Sequence, residues 1–371
     1  MKICLICNQI AAWGKIGGFG TNARRLGGAL VERGAEVHAV VLRRPEQRKV
    51  EELDGMTVHG QSTLEVLLAT DLYRDLDADI YHALEPTTAA ANAFAATPGR
   101  VHLVTSMDPR DSHDWRVEFR NATWSRRLKT PLQYYYENGR RVHAAVRAAD
   151  GVYVEAEFLQ QKTRDLYGLS EAPGLLPKPV AVPGGPFVKD ERPLCVFLGR
   201  FDPRKRPELF FEVVKRMPDV DFVAIGRAHD ATYQSHLERH YFDLPNLTVT
   251  GILDGFANPQ LHEILSRAWI LVHPAAREGL PTAFQEASAR EVAILAYVDP
   301  GDYVSKFGRV ASEDRGVQGL ESDLRELIDS GAWRAMGVAG REYNLRHHSI
   351  PVSTERHFQV YERHLEQKHI G

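Results

Sequence analysis

Four cationic side chains crowd one short segment of this sequence, and their types and spacing suggest phosphate chemistry. They are Arg200, Arg204, Lys205 and Arg206. The segment follows Gly199 and the apolar run Leu194–Leu198, which is predicted to be a buried strand. Because like charges repel, such a cluster favours a bound anion. Guanidinium groups fork onto phosphate oxygens and an ammonium acts as a point charge, so the segment could stabilise a departing diphosphate without a metal.

A second segment combines a glycine loop with a helix start. Arg277-Glu278-Gly279-Leu280-Pro281 follows a predicted strand over 269–273. Thr282 and Gln285 form the T-x-x-Q pattern of a capping box, which predicts a helix from about Thr282. Free backbone N–H groups at a helix start favour a diphosphate, and Gly279 allows the backbone to approach it closely.

Two carboxylates bracket this loop with the spacing E-x7-E. They belong to Glu278, on the loop, and to Glu286, about one turn into the helix. A carboxylate repels a diphosphate but accepts hydrogen bonds from hydroxyl groups. A hexose on one side of the diphosphate and a ribose on the other would supply them. The pattern therefore predicts a nucleotide-sugar site.

Both segments together resemble the retaining glycosyltransferases of family 4, which have the GT-B fold. The family's G-R-x-x-x-x-K pattern is matched by Gly199-Arg200 through Lys205, and its E-x7-E motif by Glu278 and Glu286. The resemblance implies that Arg200 and Lys205 hold the donor phosphates, that Glu278 contacts the transferred sugar and that Glu286 binds the ribose. It implies same-face attack assisted by the leaving phosphate. The other donor-binding positions that it implies are Gly199, Gly226, Gly251, Ile252, Gly279, Leu280, Pro281 and Thr282.

The glycines near the N-terminus allow two interpretations. Gly18-x-Gly20-x-x-Ala23 matches a loose dinucleotide fingerprint, which would indicate an NADP-linked oxidoreductase. However, about ten residues separate these glycines from the first predicted strand, whereas the dinucleotide turn follows its strand at once. In family 4 the matching loop lies over the donor phosphates, and the resemblance assigns that role to Gly17 and Gly18.

Three residues of the first half are candidates for an acceptor or sugar pocket. His82 lies in a stretch that resembles the family's H-x-x-E-P, with a buried, hydrogen-bonded histidine as the alternative. Met107 stands where many relatives carry a histidine that contacts the donor sugar, and Asp108 beside it could take over a polar role. This departure leaves open the alternative that the chain is a catalytically inactive GT-B scaffold that binds a partner.

Strand-like and helix-like runs alternate along the chain and predict parallel sheets flanked by helices. The strands are predicted at 2–7, 36–42, 80–83, 101–105, 151–154, 194–198, 221–225, 247–250, 269–273 and 293–298. The fold class is therefore α/β, with two Rossmann-like doubly wound domains facing across a cleft. A Pro- and Gly-rich stretch over 173–186 marks the boundary near Pro183. We predict an acceptor-side domain over 1–183, a nucleotide-sugar domain over 184–352, and a terminal helix over 353–371 that packs back on the first domain.

Composition narrows the function further. The 371 residues suit two domains, and a net charge of −3 argues against a nucleic-acid partner. Cys4, Cys7 and Cys195 are predicted to be buried structural thiols in a reducing compartment. With no signal peptide and no membrane span, a cytoplasmic protein is expected. No metal motif stands out at a strand end, so neither a metal nor a cofactor is expected.

The substrates are predicted only by class. A UDP-sugar donor is favoured by family frequency, with GDP-mannose as the alternative, and the acceptor is unknown. Residues 113–149 mix cations with aromatic side chains. Such a segment could grip an anionic acceptor or lie peripherally on an anionic inner membrane surface, or it could simply be a solvated helix face over a core stripe.

Overall fold

Two sheets organise the chain, and each belongs to its own compact unit. The computed structural model describes residues 1–14, 16–68, 70–120, 122 and 124–370. One unit contains Met1–Trp115, Arg126–Pro179 and His347–Gly371, and the other contains Arg116–Ser125 and Val180–Arg346. The boundary near Pro179 lies close to the predicted one. Residues Arg116–Ser125, which the sequence placed in the first domain, belong with the second unit.

The sheet of the first unit has eight strands in the order β3-β4-β2-β1-β5-β6-β7-β8. All neighbouring pairs are parallel except β3 with β4. The strands are β1 Lys2–Ile6, β2 Glu36–Leu42, β3 Val50–Leu53, β4 Met56–Gln61, β5 Ile80–Ala83, β6 Val101–Ser106, β7 Gly151–Val154 and β8 Gly174–Leu175.

Helices cover both faces of this sheet. One face packs on α1 (Gly18–Glu32) and the other on α4 (Thr88–Ala96) and α8 (Arg140–Ala148), through separate apolar clusters. Cys7 belongs to the first cluster and Cys4 to the second, and all three cysteines of the chain are unpaired. The remaining helices are α2 Thr63–Leu68, α3 Asp71–Leu76, α4 Thr88–Ala96, α5 Ser112–Arg120, α6 Trp124–Arg127, α7 Thr130–Asn138, α8 Arg140–Ala148 and α9 Gln160–Tyr167.

The sheet of the second unit has six parallel strands in the order β11-β10-β9-β12-β13-β14. Its strands are β9 Leu194–Leu198, β10 Asp221–Ile225, β11 Leu247–Gly251, β12 Ile270–His273, β13 Ala293–Ala296 and β14 Gly308–Val310. Its helices are α10 Pro207–Arg216, α11 Ala231–Tyr241, α12 Gln260–Arg267, α13 Thr282–Ser288, α14 Tyr303–Phe307, α15 Gly316–Ser330 and α16 Trp333–His347.

The last helix, α17 (Ile350–Ile370), groups with the first unit. Its Tyr361 is fully buried in the cluster that also holds residues of β1 and α1. The Tyr361 hydroxyl is 2.7 Å from Nδ1 of His82 on β5, and the Ser353 hydroxyl donates to the carbonyl of Pro177. The chain end thus contributes side chains to the first core. Within the described residues, no helix is both long enough and apolar enough to cross a membrane.

Candidate functional site

The loops that follow β9 and β10 pack closely against each other at the carboxyl end of the second sheet. Gly199 and Gly226 directly follow these neighbouring strands, with φ of 154° and 157°. The Gly199 N–H donates to Ile225 at 3.0 Å, and the Phe201 N–H donates to Arg227 at 3.1 Å. A Cβ on Gly226 would collide with the carbonyl oxygen of Gly199. Glycine is therefore required at Gly226 by the approach of two backbones.

Local hydrogen bonding shapes the cationic loop after β9. Asp202 caps the short 3₁₀ helix Pro203–Lys205 by accepting from the Arg204 N–H at 3.3 Å. Arg206 then adopts a left-handed φ of 50°, and α10 begins at Pro207. This turn directs the three consecutive cations to different partners. Arg206 pairs with Glu313 at 2.7 Å on the exposed side, whereas Lys205 is nearly buried.

Lys205, Glu278 and His273 form the centre of the site. The Lys205 ammonium pairs with Oε1 of Glu278, and Nε2 of His273 lies 3.2 Å from the same oxygen. The exposed fractions of the three side chains are 13%, 10% and 0%. His273 ends β12, so the strand and the loop after it place two members of the trio, and the β9 loop places the third.

The charges of this trio are set by burial and by each other. Burial opposes ionisation of Glu278, but the Lys205 ammonium and the hydrogen bond from His273 hold the pKa of Glu278 well below its usual value. Burial lowers the pKa of His273, and the Lys205 cation lowers it further. Glu278 is therefore an anion at neutral pH, and a neutral His273 can donate to it from Nε2. An ionised Glu278 can accept hydrogen bonds.

The helix after Glu278 begins where the sequence predicted, but its cap is different. α13 starts at Thr282, yet its N-cap is Pro281 and no side chain caps it. Gln285 is fully buried, and neither of its side-chain polar atoms has a hydrogen-bond partner within the described chain. The predicted capping box is therefore wrong. The helix spans only seven residues, so its N-terminal dipole is small compared with the nearby side-chain charges.

The other predicted donor positions lie around this centre in the second unit. Leu280 is buried and Glu286 half-buried in α13. Gly251 ends β11 with a φ of 73° and open space at its Cα, and the next residue, Ile252, is 45% exposed. Arg200 lies 3.6 Å from Asp202. These placements leave the roles predicted for Gly279, Leu280, Pro281, Thr282 and Glu286 as predictions.

Sequence reasoning missed a second charged group beside the trio. Glu118 lies 2.5 Å from Nη1 of Arg204 and 3.8 Å from Nη1 of Arg277. The Ala276 N–H donates to the carbonyl of Arg204 at 2.9 Å, which ties the two loops together. The two arginines were visible beside Lys205 and Glu278. Glu118, more than eighty residues earlier, gave no signal that would have linked it to them.

The first-unit candidates differ in how the fold uses them. His82 is fully buried, and its two ring nitrogens lie 2.7 Å from Tyr361 and 2.7 Å from Thr105. This supports the alternative of a structural histidine. Met107 is also buried and accepts a hydrogen bond from Asn22 at 3.0 Å. Asp108 lies 3.9 Å from Arg110.

Gly17 and Gly18 lie at the start of a helix rather than in a long loop. α1 begins at Gly18, and Gly17 is its N-cap. Gly20 packs so closely on the preceding loop that an added Cβ would come within 2.9 Å of the Ala11 nitrogen. The role of Gly17 and Gly18 toward donor phosphates stays a prediction.

One carboxyl group of the first unit, the acid of the H-x-x-E-P stretch, was not chosen as a candidate from the sequence. Glu85 follows β5, and burial together with repulsion from Glu137 raises its pKa to about 8, against the Arg110 cation and a hydrogen bond with Asn8. The side chain is thus largely protonated at neutral pH and can donate a hydrogen bond. Its place in that stretch, two residues after a buried strand, was the signal that could have identified it.

Among the described residues, one group of three potential metal ligands occurs, at the start of α5. It comprises Asp111, His113 and Asp114. Asp111 accepts the N–H groups of His113 at 2.7 Å and of Asp114 at 3.0 Å, and Asp114 accepts the N–H of Asp111 at 2.9 Å. The Lys162 ammonium pairs with Asp114. These carboxylates therefore serve a helix start and a lysine.

The segment over 113–149 contains all of α5 except its first residue, and the helices α6, α7 and α8. Leu128, Leu132 and Tyr135 are 68%, 76% and 68% exposed. Asn121, Thr123 and the side chain of Arg126 lie outside the described residues. Contact of this segment with an anionic acceptor or with a membrane stays a prediction.

Comparison with known proteins supports the family resemblance. Residues 185–305 match the family model described as "Glycosyl transferases group 1". This range contains Arg200, Lys205, Glu278 and Glu286, so the recognition from sequence is confirmed. No curated protein sequence matches the chain significantly.

Solved glycosyltransferase structures share the fold over nearly the whole chain. Sucrose-phosphate synthase from Thermosynechococcus elongatus superposes with a TM-score of 0.74 at 17% identity, covering 98% of both chains. Anabaena HepE in complex with UDP-glucose gives 0.73 at 12% identity, covering 98% of this chain and 100% of the other. The catalytic domain of starch synthase IV from Arabidopsis thaliana, bound to ADP and acarbose, gives 0.68 at 13% identity, covering 98% and 99%. The predicted GT-B fold class is therefore confirmed.

Proposed function

We propose that this chain is a retaining glycosyltransferase that transfers a hexose from a nucleotide sugar to an acceptor hydroxyl. The observation that carries the proposal is the nearly buried Lys205–Glu278 pair, backed by His273. It lies in the part of the chain that matches the group 1 family model. A UDP-sugar is the favoured donor, in line with the UDP-glucose named for the structurally similar HepE.

The proposed chemistry follows from the charges of the site. The bond between the anomeric carbon and the diphosphate oxygen breaks, and its electron pair leaves with the nucleoside diphosphate. Lys205 and Arg200 neutralise the negative charge that develops there. The acceptor oxygen forms the new bond on the same face of the sugar, and its proton passes to the departing phosphate. The side chains supply this charge stabilisation, so we propose that no metal is required.

The two acids are assigned to the two sugars of the donor. Glu278, held ionised by Lys205, is proposed to accept hydrogen bonds from hydroxyls of the transferred hexose. Glu286, half-buried in the second turn of α13, is proposed to accept from the ribose. Displacement of the Lys205 ammonium toward the diphosphate would leave the Glu278 oxygens available to the sugar.

A donor panel tests the proposal. The purified chain is incubated with UDP-glucose, UDP-N-acetylglucosamine and GDP-mannose, in EDTA and then with added Mg²⁺, and release of nucleoside diphosphate is measured. Release from one donor, equal in EDTA and in Mg²⁺, is expected and would name the base and the sugar. Failure to bind any of the three donors by calorimetry would contradict the proposal and favour a catalytically inactive scaffold.

A further inference from the structure

One carboxylate neutralises two arginines next to the proposed diphosphate site. The nearest oxygen of Glu118 is 2.5 Å from Arg204 and 3.8 Å from Arg277. The exposed fractions of the three side chains are only 8%, 12% and 10%. Two largely buried guanidinium groups of like charge therefore share the Glu118 carboxylate. Without an anion between them, their repulsion would be weakly screened.

These arginines are direct neighbours of the proposed catalytic pair. Arg204 precedes Lys205 on the 3₁₀ turn, and Arg277 precedes Glu278 on the loop after β12. The backbone bond from Ala276 to Arg204 holds the two loops in register. A diphosphate that Lys205 contacts would therefore lie within reach of at least one of these guanidinium groups.

The anion that now occupies the arginine pair comes from elsewhere in the chain. Glu118 lies in the segment Arg116–Ser125. This segment groups with the second unit, although it belongs to the first half of the sequence. Two large apolar side chains of this segment, Phe119 and Trp124, are 46% and 75% exposed. Burial of these two side chains therefore contributes little to holding the segment in place.

We propose that Arg204 and Arg277 form a phosphate subsite of the donor site, and that Glu118 is an internal competitor for it. The inference rests on the proposed function, because it identifies the incoming anion as the donor diphosphate. A carboxylate and a phosphate both present oxygen pairs that a guanidinium can bind with two parallel hydrogen bonds. Binding of the donor thus requires release of Glu118, which lowers the apparent donor affinity and couples the 116–125 segment to donor binding.

The test compares diphosphate binding by Glu118→Gln with binding by the native chain. Titration calorimetry measures the affinity for UDP and GDP, which carry a nucleoside, and for inorganic pyrophosphate, which carries none. If Glu118 occupies the arginines about nine-tenths of the time, its removal should raise diphosphate affinity about tenfold. Glu313→Gln is the matched control. It removes the carboxylate that pairs with the adjacent Arg206 at the exposed side, and it should leave the affinity unchanged.

Thermal melting of both variants checks that they are folded. If Glu118→Gln fails to fold, Glu118→Asp withdraws the carboxylate while keeping its charge, and a smaller rise in affinity is expected. Arg277→Gln should lower pyrophosphate affinity in either case. An unchanged or weakened diphosphate affinity in a folded Glu118 variant would overturn the inference.

The outcomes separate this inference from the proposed function. If the native chain turns over a donor but the Glu118 variants do not change diphosphate affinity, the proposed function is supported. The proposed competition by Glu118 is then wrong. Tighter pyrophosphate binding by Glu118→Gln, without turnover of any nucleotide sugar, would retain the subsite and count against the glycosyltransferase.

Discussion

At the scale of single residues, the proposed donor site is a set of charges that hold each other in place. Lys205 fixes the ionised state of Glu278, and a neutral His273 donates to the same carboxylate. Removing one member of such a buried group strands the charge of another. The same logic explains why Glu118 is found between Arg204 and Arg277. The charge and the position of each of these side chains therefore depend on its partner.

Gly226 provides a test of the backbone that supports these charges. Gly226→Ala forces a Cβ against the Gly199 carbonyl at a strained φ, so we expect the free energy of unfolding to fall by about 2–4 kcal/mol. Gly99→Ala is the control, because Gly99 has a φ of 86° but no atom within 4 Å of an added Cβ. It should cost about 1 kcal/mol. Equal losses in chemical denaturation would show that the approach of the two backbones is unimportant.

At the scale of elements, hydrophobic periodicity predicted the strands well, whereas local sequence patterns predicted a hairpin and a helix cap less well. All ten predicted strands occur, within two residues of their expected ends, because buried parallel strands read as short apolar runs. The β3–β4 hairpin was missed. Its strands are partly exposed and polar, although Asp54-Gly55 between them is a recognised hairpin turn.

The misses in the site have a common physical cause. The T-x-x-Q pattern predicted a capping box, but tertiary packing buried Gln285 and left Pro281 as the cap. The loop motifs placed Arg200, Lys205 and Glu278, whereas Glu118 depends on a contact between distant parts of the chain. Local spacing predicts local geometry, and it contains no information about which remote carboxylate meets Arg204.

The terminal helix α17 should make the first unit sensitive to acid. Burial lowers the pKa of His357 to about 4 and that of His82 well below its usual value. A histidine with a lowered folded-state pKa stabilises the fold above its unfolded pKa of about 6.5, and this contribution is lost as the pH falls toward 4. His357 alone should remove about 2 kcal/mol of stability between pH 7 and pH 5.

The free energy of unfolding measured against pH checks this. His357→Gln should reduce the slope between pH 7 and pH 5, because one buried imidazole fewer then has to be protonated. His236→Gln is the control, since His236 is exposed on α11. A slope that His357→Gln leaves unchanged would show that the acid sensitivity arises elsewhere.

At the scale of the whole molecule, the two units contain different groups of charged and buried polar residues. The second unit contains the family match and the charged centre of the proposed donor site. The first unit contains the buried histidines, the protonated Glu85 and the returning helix α17. The solved structures that share the fold are matched over nearly the whole chain, so both units belong to that fold. Turnover by the intact chain is therefore the property to measure.

The most direct measurement is nucleoside diphosphate release by Lys205→Ala on the donor that the native chain prefers. We predict a loss of about 10²–10³-fold in kcat, because the buried ammonium no longer stabilises the charge on the leaving diphosphate. Lys215→Ala, on the exposed side of α10 beside Glu212, should turn over the donor like the native chain. Native turnover by a folded Lys205→Ala variant would contradict the central claim.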